Sequence, residues 1–171
     1  MTGAVADADV MLVGQAPGPH EIEPDRPFAH TAGSRLFEWL ESIGWTEDAF
    51  RRAVHICAVA RCFPGRTPDG RSDRLPNRSE ITNCAPWLDA EIRMLEPRLV
   101  IAVGKLAIDQ FLEKKKLNEV VGQSFQAERA GHHFDIVPLP HPSGRSTWLN
   151  KPDHRQLLQT ALEIIRDHPA M

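Results

Sequence analysis

The feature that most constrains the fold is the segment 10–20, VMLVGQAPGPH, in which a short apolar run stops at a glycine. Residues 10–13 have the length and composition of a buried strand, and open α/β sheets bind ligands where such a strand runs into a loop. Gly14 and Gly18 allow close approach to the backbone, while Pro17 fixes one backbone angle. A plain strand-to-helix turn without chemistry fits the same residues, so the segment alone leaves its role open.

Length and composition predict the general class of protein. A chain of 171 residues with 42% hydrophobic side chains suits a single domain over residues 1–171. Its longest apolar runs, 99–103 and 136–140, are too short to cross a bilayer, and no basic segment followed by an apolar one opens the sequence. We therefore expect a soluble, cytoplasmic monomer.

The cysteine count is odd and includes no Cys-x-x-Cys pair, which argues against a disulfide framework and against a complete four-ligand metal site. The three residues are Cys57, Cys62 and Cys84.

Charge is distributed unevenly along the chain, although the net charge is only -3. Residues 1–50 hold nine acids and two arginines, a net charge of -7, whereas residues 51–78 hold seven arginines and two acids, a net charge of +5. Arginines in a loop rich in glycine and proline, Arg66 among them, can neutralise phosphates. A solvated surface loop is the alternative interpretation.

Strand and helix patterns alternate along the chain. Strands are predicted at 9–13, 54–60, 98–103 and 133–139, with a possible edge strand at 123–128. Helices are predicted at 33–44, 78–95, 104–116 and 152–167, and a short helical turn is predicted to begin at residue 46. The helix 78–95 is expected to kink or restart at Pro86. This order predicts a three-layer α/β/α fold around a central, mostly parallel four-stranded sheet. The long loops 15–32 and 61–77 suggest binding rather than connection.

Three short segments then resemble the uracil-DNA glycosylase superfamily in their order and spacing: GQAPG at 14–18, RPF at 26–28 and HPS at 141–143. Further stretches are similar to the bacterial branches that carry an iron–sulfur cluster, families four and five: VARCFPG at 59–65, NCAPWL at 83–88 and PRLVIAVG at 97–104. The resemblance covers nearly the whole chain. It implies a monofunctional enzyme of base excision repair that hydrolyses the N-glycosidic bond of uracil in DNA.

The sequence also departs from those branches. They hold their cluster with four cysteines, two of them in an N-terminal pair without a counterpart here, and only Cys62 and Cys84 stand at matching positions. We therefore expect no cofactor and no metal, with these two cysteines as small core residues. Family four has Glu at the position of Gln15, and the best-known branch has Asp at that of Ala16. Ala58 replaces the usual pyrimidine-reading Asn, so selectivity is expected to extend beyond uracil to other deaminated bases.

The resemblance assigns roles that suit the chemistry of an extruded base. Phe28 is the expected stacking platform, a contact worth about 1–3 kcal/mol in single-stranded binding sites. His141, restrained between Pro140 and Pro142, is expected to donate to the uracil O2 as negative charge develops on the leaving base. Gln15 can orient the attacking water but cannot accept its proton at neutral pH.

The remaining assignments concern contacts to the base and to DNA, the general base, a phosphate site and the surface histidines. Contacts to the base are expected from Gly14, Gln15, Ala16, Pro17, Gly18 and Ala58, and contacts to DNA from Ser143, Gly144, Arg145 and Arg66. The general base is left open among His20, Glu21, Glu23, Asp25 and His30. The helix start after Gly104 is a weaker phosphate site. The seven histidines other than His141 are expected at the surface.

Two other functions fit the same sequence. A non-catalytic sensor of uracil-containing or damaged DNA would keep the pocket and lack a base. An iron–sulfur or zinc protein would use the three cysteines. A lyase is disfavoured because the three segments contain no lysine that could form a Schiff base.

Overall fold

A computed structural model describes residues 7–21, 26–144 and 146–171. Its strands are β1 Val10–Gly14, β2 Val54–Ala58, β3 Leu99–Val103, β4 Phe125–Arg129 and β5 His132–Leu139. Its helices are α1 Thr31–Glu41, α2 Glu47–Ala53, α3 Arg78–Leu95, α4 Lys105–Ile108, α5 Leu117–Val120 and α6 Pro152–Arg166, with a 3₁₀ turn at Trp148–Asn150.

The five strands form one sheet in the order β2-β1-β3-β5-β4. The first four are parallel, and β4 pairs antiparallel with β5, with Phe125 opposite Ile136. The sheet therefore has one strand more than the four predicted. The additional strand is the segment named above as a possible edge strand, and it buries little beyond Ala127 because one of its sides faces solvent.

Helices cover both faces of the sheet, as the predicted three-layer fold requires. In β1, Val10 and Leu12 pack on the side that also holds the buried residues of α1 and α6. Met11 and Val13 point to the opposite side, beneath α3. This alternation follows from the two-residue period of a strand, and burial on both faces explains why β1 and β3 are continuously apolar.

Two helices differ from their predicted form. The α3 helix continues through Pro86 without a restart, and a reciprocal cap between Asn77 and Glu80 stabilises its first turn. The predicted helix 104–116 was wrong beyond its first turn, because α4 ends at Ile108. There the backbone bonds change to the tighter i to i+3 pattern, at Gln110 and Phe111, and the chain leaves the helical path.

The carboxyl ends of the parallel strands lie together at one edge of the sheet. Gly14 stands opposite Ala58 in the β1–β2 register, and the Val59 amide donates to the Gly14 carbonyl at 3.0 Å. On the other side, the Gly104 amide donates to the Leu139 carbonyl at 2.9 Å. The loops that follow these strands therefore open on a shared surface. In the described residues, no helix combines the length and apolarity needed to span a membrane.

Candidate active site

A cavity of about 510 Å³ opens at this edge of the sheet, a volume typical of small-molecule sites. It is lined by nearly all of the residues that the sequence singled out: Gly14, Gln15, Ala16, Pro17, Gly18, Phe28, Ala58, Arg66, His141 and Ser143. Gly144 is exposed and does not line the cavity, and Arg145 lies outside the described residues. The front and back of the chain therefore meet at one crevice.

Phe28 occupies a constrained turn. Its φ angle is 55°, a left-handed conformation that non-glycine residues adopt mainly where the surrounding structure requires it. The ring packs against the backbone of Gly14, since a β-carbon added there would lie 2.9 Å from Phe28 Cζ. The aromatic face is thus held at the end of β1, beside the loop expected to bind the base.

Arg51 of α2 holds this turn from behind. Its guanidinium donates to the carbonyls of Pro27 at 2.8 Å and Phe28 at 3.2 Å. A third donor contacts the Glu47 carboxylate at 2.8 Å, and the group stacks over the Phe37 ring at 4.5 Å. The sequence analysis counted Arg51 only as one arginine of the basic segment 51–78, whereas in the structure it holds the turn that carries Phe28.

We expect Arg51→Lys to lower stability by about 1–3 kcal/mol, because a lysine cannot make the forked contacts to two carbonyls and a carboxylate. The single-turnover rate of base release should fall as well, since Phe28 loses its support. Chemical denaturation and a single-turnover assay measure the two effects. Arg52→Lys is the matched control, because Arg52 is the neighbouring, exposed arginine. Equal effects of the two substitutions would contradict the positioning role.

His141 presents one ring nitrogen for binding. Its Nδ1 accepts a hydrogen bond from the Ser143 amide at 3.2 Å, so we assign the proton of the neutral ring to Nε2. Burial lowers the pKa of His141, which favours this neutral form at pH 7. The ring is therefore prepared to donate from Nε2 without carrying a charge.

Gly104 positions the same ring. Its φ angle is +85°, and a β-carbon added there would lie 3.1 Å from His141 Cδ2. Gly104 was predicted as the start of a weak phosphate site, but α4 comprises four residues, too short to provide one. The glycine instead leaves room for the imidazole. On the other side of the loop, Arg35 of α1 donates to the Ser143 carbonyl at 3.5 Å.

The lowered pKa of His141 predicts a pH effect on stability. The unfolded chain binds a proton at this residue near pH 6.5, whereas the folded chain does so only at lower pH. Acidification below 6.5 therefore favours the unfolded state, and the contribution is fully present above that value. We expect the unfolding free energy to fall less between pH 7.5 and 5.5 in His141→Asn than in the wild type. Identical pH dependence of the two proteins would contradict this.

The loop 61–77, for which the sequence predicted a role in binding, forms the far wall of the cavity. It folds into a small hairpin in which the backbones of Arg66 and Asp73 form an isolated antiparallel β-bridge and the Thr67 amide donates to the Ser72 carbonyl at 2.7 Å. Its lining residues are Pro64, Arg66, Arg71, Ser72, Asp73 and Leu75. Leu75 is also a large apolar side chain that is 63% exposed, so the rim of the cavity is partly apolar.

Carboxylates within the protein pair with four of the seven arginines in 51–78, which are Arg51, Arg61, Arg71 and Arg74. Arg61 donates two hydrogen bonds to the Glu91 carboxylate, at 2.6 and 2.7 Å, and Arg74 donates two to the Glu80 carboxylate, at 2.5 and 2.8 Å. These last two pairs fasten the loop to α3, which carries both carboxylates. Arg66 lines the cavity, and its role as a DNA contact stays a prediction.

The titratable residues of loop 15–32 are placed differently from one another. Glu21 accepts a hydrogen bond from the Gly18 amide at 2.9 Å and so stabilises the turn. His20 and His30 stack with their ring centres 4.5 Å apart at the mouth of the cavity. The other two candidate bases, Glu23 and Asp25, lie outside the described residues.

The cysteines do not fit a four-thiolate cluster. Cys57 is buried in the apolar layer beneath α3, where burial raises the pKa of its thiol. Cys62 is exposed, and Cys84 is half-buried with its sulfur accepting from the Arg61 amide at 3.4 Å. The prediction that Cys62 and Cys84 are core residues was therefore wrong. With three thiols in the sequence, and one of them in the core, the donor set is too small.

His55 is buried, contrary to the expectation of a surface residue. Its Nε2 lies 3.6 Å from a Glu91 oxygen, and the two side chains and Cys57 place possible ligand atoms within 4.8 Å of one another. Burial alone would raise the pKa of Glu91, but the His55 ring and the Arg61 guanidinium outweigh it and hold that pKa low. The Arg61 guanidinium thus already pairs with the carboxylate of this cluster.

Comparisons with known proteins agree with this architecture. The sequence pattern of the uracil DNA glycosylase superfamily matches residues 2–165. A Type-4 uracil-DNA glycosylase from Pyrobaculum aerophilum is 35% identical over 78% of this chain and 66% of its own length. A Type-5 uracil-DNA glycosylase from the same organism is 32% identical over 94% of this chain and 70% of its own length.

A protein from Methanosarcina acetivorans, solved by NMR and described as a candidate uracil DNA glycosylase, shares the fold with a TM-score of 0.54. The alignment covers 98% of this chain and 96% of that protein at 10% identity. The chain spans about two thirds of the length of the Type-4 relative (66%). With the sequence pattern covering almost all of it, the chain belongs to the uracil DNA glycosylase superfamily.

Proposed function

We propose that this protein is a monofunctional DNA glycosylase that hydrolyses the N-glycosidic bond of uracil in DNA and leaves an abasic site. The observation that carries the proposal is that Gln15, Phe28 and His141 line the same cavity. The names of the Type-4 and Type-5 relatives support the same activity. The proposal has the protein acting as a monomer in the cytoplasm, with DNA as its macromolecular partner.

The cavity suits a base that has left the DNA stack. Phe28 is half-buried, its ring packs against the backbone of Gly14, and its carbonyl accepts a hydrogen bond from Arg51, so little ordering is needed when a base stacks on it. The loop 14–18 brings backbone groups to the opposite edge of the base. Arg66 and Ser143 line the cavity, and in this proposal they contact the flanking phosphates.

His141 supplies the main electrostatic stabilisation in this proposal. When the glycosidic bond breaks, negative charge accumulates on the base and positive charge on the sugar. The Nε2 donor stabilises the charged carbonyl oxygen more than the neutral one of the bound substrate, and it lowers the barrier by the difference. Because Nδ1 is held by the Ser143 amide, the ring does not need to reorient during the reaction.

Water, rather than an amine of the protein, is the proposed nucleophile. No lysine occurs among the described residues that line the cavity, so no side chain there can form a Schiff base with the sugar. The Gln15 amide can hold the water in position. The reaction therefore ends at the abasic site, without strand cleavage by the enzyme.

The proposed range of substrates includes other deaminated bases. Ala58 lines the cavity and has no side-chain donor or acceptor with which to read the pyrimidine edge. A site without such a group discriminates poorly between bases of similar shape. A panel of oligonucleotides containing uracil, hypoxanthine, xanthine or a thymine mismatch tests this range.

The activity itself is tested with single- and double-stranded oligonucleotides that contain one uracil, with thymine in its place as the matched control. We expect free uracil and alkali-labile sites from the uracil substrates alone. Specific binding without release of the base would instead identify the protein as a sensor of damaged DNA. Absence of both release and specific binding would overturn the proposal as a whole.

A further inference from the structure

Hydrolysis by water leaves a proton that some group must accept. Gln15 cannot take it, because an amide is not basic at neutral pH. Of the carboxylates in loop 15–32, Glu21 is already engaged as the cap of the Gly18 amide. We therefore looked for a general base on the other walls of the cavity. Among the described residues that line those walls, one carries a carboxylate.

That carboxylate belongs to Asp73, on the hairpin of loop 61–77. Asp73 lines the cavity together with Gln15 and His141. One of its oxygens, Oδ2, lies 3.9 Å from the position that a β-carbon on Gly18 would occupy. The side chain thus stands directly over the loop that is expected to hold the base and the attacking water.

The hairpin fixes the backbone of Asp73 while its carboxylate stays available. Asp73 pairs with Arg66 in an antiparallel bridge, and the Arg74 amide that follows donates to the Gly65 carbonyl at 3.0 Å. Two hydrogen bonds from the Arg74 guanidinium to the Glu80 carboxylate then fasten this side of the hairpin to α3. Within the described part of the chain, the Asp73 carboxylate itself forms neither a hydrogen bond nor an ion pair.

The other cavity-lining candidates are less suited to the task. Glu21 would have to give up the hydrogen bond that shapes the turn. The rings of His20 and His30 stack on each other, and His30 Nδ1 lies 3.1 Å from the Thr31 hydroxyl. A carboxylate with free lone pairs on a braced hairpin fits a proton acceptor better than groups already engaged.

We propose that Asp73 is the general base of the reaction, an inference that rests on the proposed function. The water oxygen forms a bond to the sugar C1′ while the C1′–N bond to uracil breaks. The electron pair of that bond leaves with the base, where His141 donates to the carbonyl oxygen. The proton of the water passes to the Asp73 carboxylate, which later releases it to solvent.

Asp73→Asn keeps the shape of the side chain and removes its ability to accept the proton. We expect the single-turnover rate of uracil release to fall at least 100-fold, within the usual contribution of a general base. DNA affinity should stay the same or increase a few-fold, because a negative charge has been removed beside the phosphates. The melting temperature should not change, since the carboxylate has no partner to lose.

Asp69→Asn is the matched control. It removes the same charge from the same hairpin, but Asp69 binds Thr67 and does not line the cavity. Its rate should stay within about threefold of wild type. A second arm tests the double variant Gln15→Glu with Asp73→Asn, which has a new carboxylate on the facing loop. Its single-turnover rate should be at least tenfold higher than that of Asp73→Asn alone.

The wild-type arm separates the two proposals. If wild type releases uracil and Asp73→Asn does so at a similar rate, the assignment of Asp73 is overturned and the proposed function stands. The same holds if Asp69→Asn loses as much rate as Asp73→Asn, since charge alone then explains the loss. If wild type releases no uracil, the proposed function fails and the role of Asp73 fails with it.

Discussion

His141→Ala should reduce the single-turnover rate of uracil release about 10²- to 10³-fold and leave the affinity for uracil-containing DNA within a few-fold of wild type. The reason is that the Nε2 donor faces charge that exists mainly in the transition state. Removing it raises the barrier without removing the contacts that Phe28 and the DNA-binding loops make in the bound state. Rapid-mixing assays of base release and fluorescence anisotropy of labelled DNA measure the two quantities.

A matched control for this change is His133→Ala, because His133 is a β5 histidine whose side chain is 80% exposed. It should change neither quantity. His141→Gln provides a second comparison, since an amide can donate a hydrogen bond and should retain part of the rate. Equal losses of rate and affinity in His141→Ala would contradict the assigned role, because they would show that the ring acts in ground-state binding.

We expect Gly33→Ala to displace Phe28, the proposed stacking platform, although the substitution is made in α1. Gly33 lies inside α1, where alanine would ordinarily be favoured over glycine by about 1 kcal/mol. Here an added β-carbon would lie 1.7 Å from the Phe28 carbonyl oxygen and 2.5 Å from its carbon. These are backbone atoms, so no side-chain rotation can relieve the clash, and the turn that carries Phe28 has to move.

We therefore expect Gly33→Ala to cost about 1–3 kcal/mol of stability, as overpacking typically does, in place of the usual gain. The rate of uracil release should fall at least tenfold as Phe28 moves away from Gly14. Thermal unfolding and the single-turnover assay check both effects, and Ser34→Ala on the next, exposed position is the control. If Gly33→Ala is as stable and as active as wild type, the packing of α1 against the Phe28 turn is not as described.

Local pattern predicted most of the elements correctly. The continuous apolar runs at β1 and β3 are strands buried on both faces, and α3 covers the predicted residues 78–95 because its cap and its apolar spacing agree. The helix predicted over 104–116 was wrong beyond Ile108, because the apolar residues that follow can pack against the sheet from a non-helical chain as well. There Phe111 packs edge to face against Phe134 with ring centres 5.7 Å apart.

The candidate site was also predicted in part from local pattern. Residues at or just beyond the carboxyl ends of strands are brought together by any parallel sheet, so Gln15, Ala58 and His141 were expected at one edge. The residues that support these side chains from other elements were not predicted. Arg51 was counted only as part of the basic segment 51–78, and His55 as a surface residue, because neither periodicity nor charge indicates which side chain meets a distant carbonyl or carboxylate.

What the sequence by itself determined is the alternation of strands and helices and the loops that carry GQAPG, RPF and HPS, since these depend on residue type and spacing along the chain. The tertiary structure alone decided that Arg51 and Gly33 hold Phe28 and that Gly104 makes room for His141. It also decided that Asp73 faces the cavity from a separate hairpin. These contacts join residues on different elements, and they exist because packing a twisted sheet between two helical layers sets where each loop ends.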